Sequence, residues 1–381
     1  MTKSTNSQTQ HFDALNTQPV NSAGILGFQQ GFQHAWADPS KLYSSSRNAR
    51  FLLDEARGAI ASGLNLKAEE IAFTPSFPYI FSHAINGIIR GSWLENKKIV
   101  LSEVEQSAIL STANNYSNFK VKVNNDATIN LAEFLGQLEQ PDVGLAILQL
   151  ANHEIGSRQP IAQIYEKCQS KNIPLLVDAT MTHDFSNIAG NFDALILNPV
   201  AWQGPTGVSV LAIKEKIKFM TTLKRDKRES KKFPASPQVA LAVSAAAAFD
   251  ETYQNLVQIN TNVSRAKNIL INEIAKIPKS QVIGKLDNSL PNIISATFSD
   301  IDGESLVSEM DKHGFEISSG SSCIADEIAP SHVLKAIGAG EQSNIRLSLP
   351  LTVTEEIATA CGLALKKVIE KIRQENAIIS Y

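Results

Sequence analysis

The sequence predicts an α/β fold built on a mainly parallel sheet, and three observations point there. From about residue 46, short apolar runs alternate with segments of helical period. The runs are continuously apolar rather than alternating, as strands buried on both faces require. One of them, Leu175-Leu176-Val177-Asp178-Ala179, ends on an acid, and the carboxyl ends of strands are where open α/β sheets bind ligands.

Taken in order, residues 47–63 carry Phe51, Leu52, Ala56 and Ile60 at helical spacing, and 71–74 reads as a strand. Residues 77–90 follow as a helix. Strands at 98–101 and 120–123 flank a helix that begins near Glu105. A helix at 131–138, a strand at 144–150 and a helix at 159–171 continue the alternation. Strands at 173–177, 192–197 and 207–213 complete it. Residues 214–232 form a basic stretch, read as a solvated loop. One long helical region spans 238–277. Then come a strand at 292–298, a helix at 303–313, a Gly/Ser loop, a short helix at 331–337, a strand at 344–349 and a last helix at 354–373. Thr352 and Thr354 supply the cap of that last helix and Glu355–Glu356 its acidic first turn. The loss of strict alternation predicts a smaller α+β domain at 241–381 after a large domain at 12–240. The polar residues 1–11 are expected to be a disordered tail.

The composition narrows the class. The chain has 381 residues, 35 basic and 38 acidic, for a net charge of −3, and is 43% apolar. That supports a large core and argues against a nucleic-acid surface. Its longest strongly apolar stretch, 239–249, is too short to span a bilayer, which needs about 20 residues. Three cysteines, Cys168, Cys323 and Cys361, fit neither a disulfide framework nor a zinc site, which favours the reducing cytoplasm. The seven histidines show no ligand spacing, so no metal is assigned.

Four segments could carry chemistry. Asp178 could hold a ribose, a metal or a protonated ring nitrogen, or simply cap a helix. The loop Asn198–Gly207, with two glycines and two prolines, lies near the same sheet edge. The segment Ile317–Cys323 is a small-residue loop ending on a thiol, a better candidate for reactivity than Cys168 or Cys361, which sit in helical patterns. Arg346 lies on an otherwise buried strand, where an arginine usually meets a carboxylate or phosphate.

Together with Ile71–Thr74, Glu105–Ala108, Ala151–Gly156, Gln159-Pro160, Gly204–Val208, Pro330–Leu334 and Ile345–Ser348, these segments resemble the cysteine desulfurases of the class V aminotransferase family. Those are pyridoxal-phosphate enzymes of fold type I, and the resemblance runs from about residue 12 to 373. It implies pyridoxal phosphate as cofactor, a homodimer, and a protein that donates or accepts sulfur. It places the pyridine-nitrogen partner at Asp178, the persulfide-carrying thiol at Cys323 and the substrate-carboxylate clamp at Arg346. Ser236 falls where the family has a Thr reaching the neighbouring subunit's phosphate.

The departures are as informative. Ala201 stands where the family has its Schiff-base lysine, and Gln106 where it has a ring-stacking histidine. His153 replaces an asparagine and Met181 a glutamine. Ser76 and Pro78 take the Gly and Thr positions of the phosphate loop, and proline has no N–H to donate. Lys171, Lys214 and Lys216 are expected at the far end of the strands, out of reach. Three functions stay open: a protein degenerate in cofactor chemistry that relays sulfur through Cys323 or acts as a scaffold, an active desulfurase, or a remodelled pocket binding another carboxylate ligand.

Overall fold

A computed structural model describes residues 9–75, 77–188, 190–223, 229–234, 238–319, 331–339 and 343–379. The chain begins with a short strand β1 (Gln10–His11) and helices α1 (Ser22–His34) and α2 (Ser44–Leu64). The alternating part follows: β2 (Ile71–Pro75), α3 (Tyr79–Ser92), β3 (Lys98–Ser102), α4 (Ser107–Ala113), β4 (Asn118–Val121), α5 (Leu131–Gln137), β5 (Val143–Gln149), α6 (Ile161–Lys171) and β6 (Leu175–Asp178). Strands β7 (Ala194–Leu197) and β8 (Val208–Ile213) close it. These seven strands form one sheet in the order β2-β8-β7-β6-β5-β3-β4. Strands β4, β3, β5, β6 and β7 run parallel, while β8 and β2 join antiparallel.

Period-two packing explains why these runs are strands. Along β6, Leu175 and Val177 enter one core with Leu53, Phe73 and Phe249, while Leu176 enters a second with Ile85, Ile88 and Leu101. Along β7, Leu195 and Leu197 face the first core and Ile196 the second. Each such fully buried aliphatic side chain contributes roughly 1.5–3 kcal/mol, so a sheet covered on both faces is strongly favoured. The free edge of β2 is capped from outside. Glu229, buried beside Arg57 and ion-paired to it, accepts the Phe73 N–H at 2.7 Å.

After α7 (Val239–Gln254) and α8 (Leu256–Ala275), strands β9 (Ser280–Ile283) and β10 (Ile293–Phe298) lead to α9 (Gly303–Lys312). The short strands β11 (Phe315–Glu316) and β12 (Ser318–Ser319) precede α10 (His332–Ala336), β13 (Ser343–Ser348) and α11 (Glu355–Ile379). A four-stranded sheet, β12-β13-β10-β9, is antiparallel throughout. It has its own core of Phe12, Leu270, Phe298, Leu347 and Val368. Among the described residues, no helix is long and apolar enough to cross a membrane.

Three features depart from the sequence reading. The long helical region divides at Asn255, whose φ of −104° and ψ of 9° interrupt the helix between α7 and α8. The tail expected over residues 1–11 ends earlier, because Gln10–His11 pair in parallel with Phe315–Glu316; residues 1–8 lie outside the described residues. Helix α1 was not anticipated, since its three glycines each cost about 1 kcal/mol of helix propensity. It forms because they let it lie against α7: a Cβ at Gly31 would fall 2.6 Å from the Ala240 Cα. Asn21 caps it, accepting the Gly24 N–H at 2.8 Å.

Candidate functional site

The parallel strands deliver their following residues to one end of the sheet. Asp178 closes β6, in register between Gln149 of β5 and Ile196 of β7. Gln106 follows β3 as the N-cap residue of α4. Asn152 and His153 follow β5, and the turn Pro199–Trp202 follows β7.

Asp178 is 4% exposed, and both oxygens of its carboxylate accept hydrogen bonds from the protein. One oxygen accepts the Thr180 N–H at 2.9 Å and the Thr180 hydroxyl at 2.6 Å. The other accepts the Gln106 amide at 2.8 Å, and that amide also reaches Thr180 Oγ1 at 2.9 Å. Burial pushes the Asp178 carboxyl up, against the hydrogen bonds from Thr180 and Gln106 that favour its charged form. Gln106 thus sets a neutral donor on the carboxylate that the resemblance assigns to a pyridinium.

Beside it, Glu105 is completely buried. Its Oε1 accepts the Gln149 N–H at 3.2 Å, and its Oε2 has no hydrogen-bond partner. Burial first, and the Asp178 charge second, push this carboxyl well above the usual carboxylate range. The folded state therefore keeps a proton that the unfolded chain releases near the ordinary carboxylate value. Stability from this group is complete below that value and is lost as pH rises through the folded value. Glu105→Gln is expected to flatten part of that slope, gaining on the parent protein as pH rises. Urea midpoints of both proteins across the pH range test this; parallel curves would refute it.

His153 lies 3.5 Å from Glu154, and its ring centre is 6.0 Å from that of His332. Ser331 donates to Glu154 at 2.5 Å, and His332 Nε2 contacts the Glu105 carbonyl at 2.9 Å. Burial raises the Glu154 carboxyl, but His153 and Ser331 outweigh it and hold it below its ordinary value. Arg346, on β13 and 9% exposed, donates from Nη1 to the His153 carbonyl at 3.2 Å and from Nη2 to Asp13 at 2.8 Å. Asp178, Gln106, His153 and Arg346 are thus linked through one polar region.

Ala201 is 1% exposed, within the turn Pro199–Trp202. Asn198 caps that turn by accepting the Val200 N–H at 3.3 Å, and Ala201 N–H donates to the Asn198 carbonyl at 3.0 Å. The neighbouring Trp202 is fully buried against Phe185 and Phe249, and its indole N–H donates to the Ala245 carbonyl at 3.0 Å. The lysines weighed as substitutes are held elsewhere. Lys214 donates to the Gly190 carbonyl at 2.6 Å, Lys216 pairs with Asp193 at 2.7 Å, and Lys171 pairs with Glu139. Asp193 precedes β7, so Lys216 sits at the opposite end of the sheet from Asp178, as the sequence implied.

Met181 is buried within the first core. Pro78 precedes α3 as its N-cap residue without a side-chain cap. Ser76, Ser236 and Cys323 lie outside the described residues, as does the cluster 224–228 of the basic stretch. Burial pushes the Cys168 thiol up to about 12 and that of Cys361 higher still, so neither is a nucleophile at neutral pH. Sequence reasoning missed Asp13, Gln18 and Thr180. Thr180 stands two residues beyond Asp178, an offset at which a hydroxyl commonly turns back onto a carboxylate. Asp13 and Gln18 gave no local signal.

A model of the class-V aminotransferase family matches residues 25–359. The cysteine desulfurase IscS of Clostridium botulinum strain Hall is 30% identical over 361 residues, covering 91% of this chain and 91% of that protein. An IscS-like cysteine desulfurase of Mycobacterium tuberculosis is 26% identical over 384 residues, covering 96% and 97%. Among solved structures, a NifS-like protein superposes with a TM-score of 0.85 at 22% identity, over 95% of this chain and 99% of that one. A NifS-like protein from Rickettsia africae gives 0.81 at 21% identity, over 95% and 99%.

Proposed function

The chain belongs to the class V aminotransferase family, as a cysteine desulfurase-like protein of the pyridoxal-phosphate fold type I, and from that premise we propose that it is degenerate in cofactor chemistry. The observation that carries this reading is the coincidence of a buried methyl at Ala201 with an Asp178 carboxylate already hydrogen-bonded by Gln106 and Thr180. The family implies pyridoxal phosphate, but these residues do not fit it as the family holds it. Among the described residues, Ala201 brings no amine for a Schiff base and Lys171, Lys214 and Lys216 are held elsewhere, the Asp178 carboxylate already accepts from Gln106 and Thr180, and Pro78 brings no N–H to the phosphate loop.

The functions left to such a protein are sulfur relay or scaffolding, with Arg346 retained as a clamp for a carboxylate ligand. In relay, the Cys323 thiolate attacks the outer sulfur of a donor persulfide. The donor's S–S bond breaks, the donor leaves as a thiolate, and Cys323 carries the persulfide to an acceptor protein. The exchange needs neither oxidant nor cofactor. The free thiols of Cys168 and Cys361 are in keeping with a cytoplasmic setting. A homodimer is part of the proposal, supported by the apolar side chains Leu26, Phe28 and Phe32 that α1 leaves exposed, with Trp36 just beyond it.

The test mixes purified protein with pyridoxal phosphate and L-cysteine. No absorbance band is expected to survive gel filtration, no sulfide is expected, and sedimentation is expected to give a dimer. A retained band with sulfide release overturns the reading in favour of an active desulfurase. Cys323→Ser separates the two remaining roles: if sulfur uptake from a persulfide-bearing desulfurase is unchanged, relay is wrong and scaffolding stands.

A further inference from the structure

The segment before α1 runs across the site, from the arginine to the Ala201 turn. Around Asp13 it is stitched to the end of β13. Ser348 N–H donates to the Phe12 carbonyl at 2.7 Å, Ala14 N–H to the Ser348 carbonyl at 3.1 Å, and Leu15 N–H to Ser348 Oγ at 3.2 Å. Further along, Gln18 donates to the Val200 carbonyl at 2.5 Å, and Asn21 N–H to the Gln203 carbonyl at 3.0 Å. Between these moorings, Asp13 Oδ1 meets Arg346 Nη2 at 2.8 Å while Oδ2 accepts the Asn16 amide at 2.7 Å.

An arginine grips a ligand carboxylate best through two parallel N–H groups of its fork. Here both outer nitrogens are engaged, Nη1 by the His153 carbonyl and Nη2 by Asp13, while Nε is buried without a partner. Two of the five guanidinium N–H groups are used in this way, and a ligand carboxylate approaching the Nη2 end meets Asp13 already seated there. The Asp13 side chain is 21% exposed against 10% for Arg346, so solvent meets the aspartate more readily. Main-chain bonds on both sides of Asp13 hold it in place, which gives it the advantage of an intramolecular competitor.

We propose that Asp13 is an internal carboxylate that competes with ligand for Arg346, so that the resting pocket is self-occupied and selects small carboxylates able to displace it. This rests on the reading of Arg346 as a ligand clamp. Displacement is an exchange of like for like at the guanidinium: one carboxylate leaves it as another arrives. An amine without a carboxylate has nothing to exchange.

Calorimetric titration with L-alanine, and with ethylamine as the probe lacking a carboxylate, tests the proposal at fixed ionic strength. Asp13→Asn is expected to tighten L-alanine binding on the order of tenfold, the scale at which loss of a partly buried competing charge acts. Asp13→Glu should stay near the parent protein, Arg346→Gln should bind nothing, and ethylamine should not bind at all. On the parent protein, saturating L-alanine should speed amide exchange at Ala14 and Leu15, a readout that needs no folded variant. Equal L-alanine affinity for the parent and Asp13→Asn proteins, lost in Arg346→Gln, overturns the competitor while leaving the clamp intact. Binding that survives Arg346→Gln, or no binding in any protein, overturns both.

Discussion

Ala201→Lys is expected to destabilise the protein by about 3 kcal/mol or more and to recruit no pyridoxal phosphate. The methyl group is 1% exposed and packs in the first core, so four added heavy atoms must overpack it or drive an ammonium into apolar surroundings. No acid is released to meet that ammonium, because Asp178 is already bonded to Gln106 and Thr180. Urea unfolding with and without the cofactor measures both halves. A variant that loses stability alone and regains it with pyridoxal phosphate would show that only the anchor had been lost.

The second large effect belongs to Trp202→Ala. The indole is fully buried, sits edge-on to Phe185 and Phe249, and bonds the Ala245 carbonyl of α7. Its removal opens a cavity and leaves that carbonyl without its donor, for an expected loss of about 3–5 kcal/mol in chemical denaturation. Trp202→Phe keeps most of the volume and only loses the hydrogen bond, so about 1–2 kcal/mol is expected there. Equal losses in the two variants would mean that packing contributes little at this position.

Much of the molecule was legible in the chain. Continuous apolar runs such as Val143–Gln149 and Ala194–Leu197 became buried strands, because both faces of the sheet are covered. Helices with one apolar stripe, such as α2 and α9, appeared within a few residues of their expected bounds. What escaped has tertiary causes. Strand β1 exists only because Phe315–Glu316 arrives beside it, and α1 only because its glycines meet the alanines of α7. Strand β9 is half exposed and lacks an apolar run. At the site, an ordered set of motifs singled out Asp178, Gln106, Ala201 and Arg346. The Asp13–Arg346 pair joins residues 333 apart, beyond the reach of any local pattern.

The capped margin of the large sheet bears on how copies of this chain meet. Strand β2 would otherwise offer a row of unpaired amides to any passing strand, the usual template for edge-to-edge association. With the Phe73 N–H held by Glu229, and that carboxylate held by Arg57, a visiting strand would have to break a buried ion pair before forming its first bond. Assembly at this margin is thereby discouraged, because a neighbour arriving there meets a held carboxylate and its guanidinium before it meets free backbone.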